Sequence, residues 1–150
     1  MSVVSDEKAA ELYQGLQYIE QLISQLQSNL EAVSREIIVV KQAKDSVEGI
    51  TKSEGELLLP LDAKSYTLGI AEKVDKESIL VRVSSRYYVK ASPSEALLIL
   101  DEEEKRLLKI ADDIRQRIAG LVEERRKLQA GLAELVQKSQ SAIKKGGESS

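Results

Sequence analysis

The sequence predicts an α+β protein in which a long antiparallel two-helix coiled coil carries two β-hairpins inserted between its helices. Apolar residues recur every three or four positions near both ends of the 150-residue chain and alternate with polar residues in the middle. Leu, Ile, Val and Ala supply most of the 42% hydrophobic content, whereas Trp and Phe are absent and 31% of residues are charged. This composition is typical of long solvated helices rather than of a compact globule.

The first helix is predicted over residues 6–48. Its apolar positions are separated alternately by four and three residues, which is the heptad repeat of a coiled coil. Ser5 and Asp6 provide a helix start, because a capping side chain and an acidic first turn satisfy the free N–H groups. The pattern resumes at Val47 and stops near Gly49. The nine uninterrupted positions are Leu12, Leu16, Ile19, Ile23, Leu26, Leu30, Val33, Ile37 and Val40.

The second helix is predicted over residues 93–145 and is followed by a disordered tail at 146–150. Ser92 and Glu95 have the spacing of a capping box, and Pro93 occupies the first helical position. The helix should end where Gly146 follows two lysines. Its seam positions in the coiled coil include Leu107, Ile114, Ile118, Leu121, Leu128 and Leu132.

The two helices should cover each other by running antiparallel, since each has only one apolar stripe. In the register that joins their ends at the insert, Ile37 faces Leu107 and nearly every layer is apolar on both sides. Lys44 and Glu104 interrupt the seam one layer apart, where they can form an ion pair, and Arg125 is a further interruption. Such residues fix the register of a coiled coil at some cost in stability.

Residues 56–91 are predicted to form four short strands at 56–61, 66–71, 78–83 and 86–91, arranged as two hairpins. Two isolated hairpins leave strand edges open and one face wet, and about eight strands make the smallest barrel that side chains can fill. The strands are therefore expected to join an oligomeric β-barrel body with strands of other chains. The residues assigned to that body are Tyr66, Leu68, Ile70, Ile79, Val81, Val83 and Tyr88.

Composition argues against an enzyme and predicts no cofactor. The chain contains no His and no Cys, so the usual general base, nucleophile and transition-metal ligands are missing, and no glycine-rich loop precedes a Lys-Ser/Thr pair. A net charge of −3 predicts no nucleic acid or membrane partner. The first residues lack the basic start and apolar run of a signal peptide, and we expect a cytoplasmic protein.

Five segments of the insert and of the helix start that follows it form a characteristic series: LLLPL at 57–61, YTLGIA at 66–71, ILVRV at 79–83, RYYVK at 86–90 and SPSEA at 92–96. In this order they resemble the prefoldin alpha subunit of the archaeal type. The turns at 62–65 and 84–85 depart from the family, which often has glycines there. The resemblance implies a hexamer of two alpha and four prefoldin beta subunits on twin β-barrels. It also implies capture of non-native proteins at the tips of coiled-coil arms and delivery to a group II chaperonin, without ATP.

Apolar residues near the free ends of the helices are candidates for binding unfolded polypeptide. They are Val3, Val4, Leu12, Leu135, Val136 and Ile143. Several lack an obvious partner within the coiled coil, so a small patch here could bind exposed apolar segments by burial. The alternative is an ordinary frayed coil end with a few stray aliphatic side chains. At the level of the whole chain, an RNA-binding helical hairpin and a structural coiled-coil spacer are the rival hypotheses, and neither explains the four-stranded insert.

Overall fold

The computed structural model describes residues 2–148, and it describes side chains for residues 6–143 and 146. Helix α1 spans Ser2–Lys52 and helix α2 spans Pro93–Glu148. Between them lie strands β1 (Leu57–Pro60), β2 (Leu68–Ala71), β3 (Ile79–Arg82) and β4 (Tyr88–Ala91). β1 and β2 form one antiparallel two-stranded sheet, here called hairpin 1, and β3 and β4 form another, hairpin 2. The predicted α+β class, with two hairpins between two long helices, is confirmed.

Both helices extend beyond the predicted ends. α1 continues from the predicted end at 48 to Lys52, and the N–H of Ser53 still donates to the C=O of Gly49 at 3.0 Å. α2 reaches Glu148, so residues 146–148 of the predicted tail are helical, and residues 149–150 lie outside the described residues. The reason is that a glycine inside a helix costs about 1 kcal/mol relative to Ala, which weakens a helix without ending it. The chain leaves α1 through Gly55, whose φ of 97° suits glycine.

The start of α2 is a reciprocal capping box, as the sequence predicts. The N–H of Glu95 donates to Oγ of Ser92 at 3.2 Å, and the N–H of Ser92 donates to Oε2 of Glu95 at 3.2 Å. Pro93, the first residue of α2, needs no N–H partner there. Two N–H groups that helix geometry would leave unpaired are thereby satisfied.

The chain divides into two compact units, of which the first comprises Met1–Ala32 and Ala111–Ser150. Within it the two helices pack along the heptad seam, where Ile19 and Ile23 are buried. Gly15 faces Leu128 so closely that a Cβ would lie 3.4 Å from Cδ1 of Leu128. The other seam residues here are half-buried: Leu12, Leu16, Leu26, Leu30, Ile114, Ile118, Leu121, Leu128 and Leu132. Nη1 of Arg125 lies 3.4 Å from Oε1 of Glu20.

The second unit, Val33–Ile110, holds both hairpins and the adjoining turns of the helices. Its core is a cluster of Val47, Val81, Ala91 and Ala96. Half-buried apolar residues pack around this cluster: Ile79, Leu97, Ile99 and Leu100. Of the seam residues in this unit, Ile37 and Leu107 are buried and Val33 is half-buried.

The predicted ion pair between Lys44 and Glu104 is present in this second unit. Nζ of Lys44 lies 3.0 Å from Oε2 of Glu104 and 3.0 Å from Oδ1 of Asp101. These hydrogen bonds, first the one to Asp101, raise the pKa of Lys44 above its ordinary 10.5. The bond from Lys44, followed by one from Lys105, lowers the pKa of Asp101 below 3.8. A cation that interrupts the apolar seam is thus matched by two carboxylates on the facing helix.

Candidate functional site

Hairpin 1 presents an open apolar face. In its register Leu58 pairs with Ile70 and Pro60 pairs with Leu68, and cross-strand partners have side chains on the same side of a sheet. Leu58 is 62% exposed and Ile70 is 67% exposed, and Leu68 and Tyr66 are also exposed. We call Leu58, Pro60, Tyr66, Leu68 and Ile70 the hairpin-1 face. Exposed apolar surface of this kind is typical of interaction sites.

The loop that closes hairpin 1 is held by one carboxylate. Oδ1 of Asp62 accepts from the N–H of Lys64 at 2.9 Å and of Tyr66 at 3.1 Å. Oδ2 accepts from the N–H and from Oγ1 of Thr67, both at 2.8 Å. The Thr67 hydroxyl is the largest cause that lowers the pKa of Asp62 to about 2. Ser65 adopts a φ of 58°, so Asp62 stabilises a tight turn in which the family often places glycine.

Hairpin 2 has one side covered by the helices of its own unit. Val81, assigned with Ile79 and Val83 to the oligomeric β-body, is buried in the unit's core, and Ile79 is half-buried beside it. Val47 and Ala96 of the helices cover that side of β3, and the part of Ile79 and Val81 in an oligomeric body stays a prediction. The side chains left open on hairpin 2 are Leu80, Val83, Tyr87, Tyr88 and Val89.

The predicted polypeptide-binding residues separate into two groups. Val136 is 50% exposed and Ile143 is 73% exposed, so both lie on the surface of α2. Leu12 and Leu135 are half-buried, and a Cβ on Gly131 would lie 3.7 Å from Cδ1 of Leu12. Leu12 therefore belongs to the seam of the first unit. The side chains of the remaining two, Val3 and Val4, lie outside the described residues.

Two tyrosines of α1 are a feature that the heptad pattern does not reveal. Tyr13 is 57% exposed and Tyr18 is 61% exposed, although both lie on a helix whose outer positions are mostly polar. The sequence does indicate their exposure, because each tyrosine is adjacent to a seam residue, Leu12 or Ile19. Adjacent helical residues point in different directions, so neither tyrosine can lie on the buried stripe. Together with Val136 and Ile143 they give the first unit several large exposed apolar side chains.

Residues 2–148 contain neither a membrane-spanning helix nor a metal-binding cluster of carboxylates among their described side chains. No helix in this part of the chain is both long enough and apolar enough to cross a membrane. Within the described residues, acidic side chains do not gather in any group of three or more that could hold a metal ion.

Two long helices joined by a pair of antiparallel hairpins define the class of helical-hairpin proteins with a strand insert. The sequence model of one such family, Prefoldin, described as "Prefoldin subunit", matches residues 19–138. The chain belongs to the prefoldin family.

Its similar relatives include alpha subunits from archaea. It is 35% identical over 101 residues to "Prefoldin subunit alpha" of Pyrococcus horikoshii, a match that covers 67% of this chain and 65% of the relative. It is 33% identical over 99 residues to the same subunit of Thermococcus onnurineus, covering 66% of each chain. The chain thus spans slightly less than two thirds of the length of these relatives. These matches confirm the predicted resemblance to the archaeal-type alpha class.

The fold has a counterpart among solved structures. A chain of the filamentous PFD from Methanocaldococcus jannaschii, determined by cryo-EM, superposes with a TM-score of 0.69. The superposition covers 79% of this chain and 98% of that chain, at 17% sequence identity. At this identity the likeness establishes the shared fold.

Proposed function

We propose that this chain is the alpha-type subunit of an ATP-independent cytoplasmic chaperone, a holdase that binds non-native polypeptides at the ends of its coiled coil. Two such chains and four prefoldin beta subunits form the complex, which passes its polypeptides to a group II chaperonin. The proposal draws on membership of the prefoldin family and on the apolar side chains that the two units leave exposed.

The observation that carries the binding role is the exposure of Val136 and Ile143. They lie one heptad apart on α2 and therefore on the same side of the helix, roughly 10 Å from each other along its axis. Burying apolar surface against a client contributes about 25 cal/mol per Å², so such a patch binds weakly by itself. Several copies in one complex would raise the strength of binding by avidity. Weak, repeated apolar contacts select extended chains without requiring a particular sequence.

Assembly is the role proposed for the open hairpin faces. The hairpin-1 face and the exposed side of hairpin 2 would leave a large apolar area in water if the chain stayed alone. Strands from neighbouring subunits can cover this area and complete a barrel, in which no edge remains free. Ile79 and Val81, assigned to the same β-body, pack in the core of their own unit.

The test compares two double variants in the assembled complex. Val136→Ser with Ile143→Ser removes the exposed aliphatic side chains from the binding region, and Ile38→Ser with Leu98→Ser removes two of similar exposure, 56% and 66%, from the second unit. We measure light scattering while chemically denatured citrate synthase is diluted into each complex without ATP. The first variant should lose most of the suppression of aggregation and the second should retain it. Equal activity of the two variants would refute a binding role for Val136 and Ile143.

A further inference from the structure

Gly120 lies within α2 at a position where a side chain would meet no other described atom. A Cβ added there would have no heavy atom within 4 Å. By contrast, a Cβ on Gly15 or Gly131 would lie 3.4 or 3.7 Å from a leucine of the opposite helix, so these two glycines let the helices pack closely. Glycine weakens a helix interior, and at Gly120 no such packing offsets the loss. The missing side chain instead leaves open space at the surface.

The space beside Gly120 is a groove of about 440 Å³ that residues of both helices line within the first unit. Its apolar part consists of half-buried leucines, Leu22 and Leu26 from α1 and Leu121 from α2. Ligand-binding clefts have volumes of roughly 300–1,000 Å³. The groove can therefore hold a large apolar side chain together with adjoining main chain.

Four exposed polar side chains border the groove: Gln25 and Asn29 on α1, and Arg117 and Glu124 on α2. Within the described part of the chain, none of the four forms a side-chain hydrogen bond or an ion pair. Each amide offers a donor and an acceptor, the guanidinium offers donors, and the carboxylate offers acceptors. These groups can bond both the N–H and the C=O of a bound peptide.

The spacing of the two amides matches an extended chain. Gln25 and Asn29 are about one turn apart, roughly 6 Å along the axis of α1. In an extended polypeptide, alternate residues present their main-chain N–H and C=O groups on the same side at intervals of roughly 7 Å. A helix offers no such row of groups, because its N–H and C=O groups bond to each other along its length.

We propose that this groove binds an extended apolar segment of a non-native polypeptide, with one large side chain beside Gly120 and the main chain bonded to Gln25 and Asn29. The inference rests on the proposed function and adds a second contact, because Gly120 lies roughly 24 Å along α2 from Val136. In a folded protein nearly all main-chain groups are already paired, whereas an unfolded segment has free ones. The groove thus selects non-native polypeptides by their backbone as well as by their apolar side chains.

The first test fills the groove and measures peptide binding to the full chain by fluorescence anisotropy. The probe is a short labelled peptide of alternating Thr and Val with one central Leu. The parent chain carries Val136→Ser and Ile143→Ser, so that these exposed side chains do not contribute. Gly120→Leu should weaken binding by at least about ten-fold, the loss expected when one leucine-sized contact is excluded. Gly49→Leu is the matched control, because a Cβ at Gly49 also has no atom within 4 Å, and it should leave the affinity unchanged. Equal affinities of the two variants, or no binding to the parent chain, would overturn the proposal.

A smaller substitution keeps the test decisive if circular dichroism shows that Gly120→Leu does not fold. Gly120→Ala adds one methyl group that meets no other described atom, so the helices should be unaffected. It should weaken peptide binding by roughly two- to four-fold, since one methyl-sized contact is lost. An unchanged affinity of this variant would then overturn the proposal.

The second test separates main-chain recognition from simple apolar burial. Gln25→Leu with Asn29→Leu removes both amides, and Gln17→Leu with Gln21→Leu makes the same change with the same spacing at exposed positions outside the groove. The first double variant should bind the peptide more weakly than the second. Equal or tighter binding by the first, or a higher affinity of the parent chain for a helical Ala-rich peptide with the same Leu, would overturn the proposal. The peptide assay requires neither beta subunits nor a chaperonin, so the groove can fail while the citrate synthase test still supports the proposed function.

Discussion

Nζ of Lys44 lies 3.0 Å from Oε2 of Glu104, at a point where each residue interrupts the apolar seam of its own helix. Both side chains are half-buried, at 25% and 15% exposure. Removing one charge leaves the other partly desolvated without a partner, which costs more than an exposed ion pair contributes. We expect Lys44→Met to lower the Tm by several degrees and Lys44→Met with Glu104→Leu to recover most of the loss. Thermal unfolding followed by circular dichroism provides the measurement, and a double variant no better than the single one would contradict the pairing.

The same cluster predicts the pH range over which it stabilises the protein. Because the pKa of Lys44 is raised, the contribution of its charged form to folding stability is complete below pH 10.5 and is lost as the pH rises through the raised value. The lowered pKa of Asp101 means that its contribution is complete above pH 3.8 and is lost as the pH falls through the lowered value. The difference in Tm between the wild-type chain and Lys44→Met should therefore be largest between these limits. A difference that is constant across the whole range would show that charge is not its cause.

A buried seam residue and an exposed aliphatic residue of α1 should respond very differently to truncation. Ile23 is 5% exposed, so Ile23→Ala should destabilise the protein by about 2–5 kcal/mol through lost burial and the cavity left behind. Ile38 is 56% exposed, and Ile38→Ala should change the stability by no more than about 0.5 kcal/mol. Urea unfolding of each variant checks both values. Comparable losses would mean that the heptad seam is not the main packing surface of the helix.

The carboxyl group of Asp62 should titrate well below an ordinary aspartate. Four hydrogen bonds to its oxygens lower its pKa to about 2 from 3.8. The stabilisation of the hairpin-1 loop by the ionised Asp62 carboxylate is therefore complete above pH 3.8 and is lost as the pH falls through about 2. An NMR titration of the side-chain carboxyl carbon should give this midpoint. Asp62→Asn should increase amide exchange in residues 62–67, because one acceptor oxygen becomes a donor, and Asp113→Asn on α2 should leave the loop unchanged. A midpoint near 3.8 would contradict the observed geometry.

Because of the capping box of α2, removal of the single Ser92 hydroxyl should cause a moderate loss of stability. Ser92→Ala removes the acceptor of the Glu95 N–H and should lower the free energy of unfolding by about 1 kcal/mol. Ser28→Ala, at an exposed position within α1, provides the control and should change it by less than about 0.5 kcal/mol. Denaturant unfolding distinguishes the two. An equal effect would show that Ser92 does not act as a cap.

Periodicity was sufficient to predict the elements of this fold. The heptad positions from Leu12 to Val40 and the alternation in residues 56–91 depend on which side chains one element can bury, and this information is local. The helix ends were less predictable, because Gly49 and Gly146 weaken a helix by an amount that neighbouring turns can offset.

The assignment of strand faces required the tertiary structure. Val81 and Ile70 both occupy apolar positions in segments that alternate apolar and polar residues. Val81 is buried because Val47 and Ala96 cover it, whereas Ile70 is exposed, and the sequence pattern does not distinguish the two cases. The exposure of Tyr13 and Tyr18 on α1 was not predictable from the heptad pattern for a related reason, since this pattern indicates which residues are buried and gives no information on the outer surface. Conversely, the ion pair between Lys44 and Glu104 was predictable from the sequence, because both charged residues interrupt the same apolar seam.

The most direct test of a binding role for this subunit is photo-crosslinking within the assembled complex. A photoreactive amino acid is placed at Val136 in one preparation and at Ile38 in another, two positions of similar exposure at 50% and 56%. Each complex is mixed with denatured citrate synthase without ATP and irradiated. We expect crosslinks to the denatured protein from position 136 and few or none from position 38. Crosslinks from position 38 alone, or from neither position, would contradict a binding role for this end of α2.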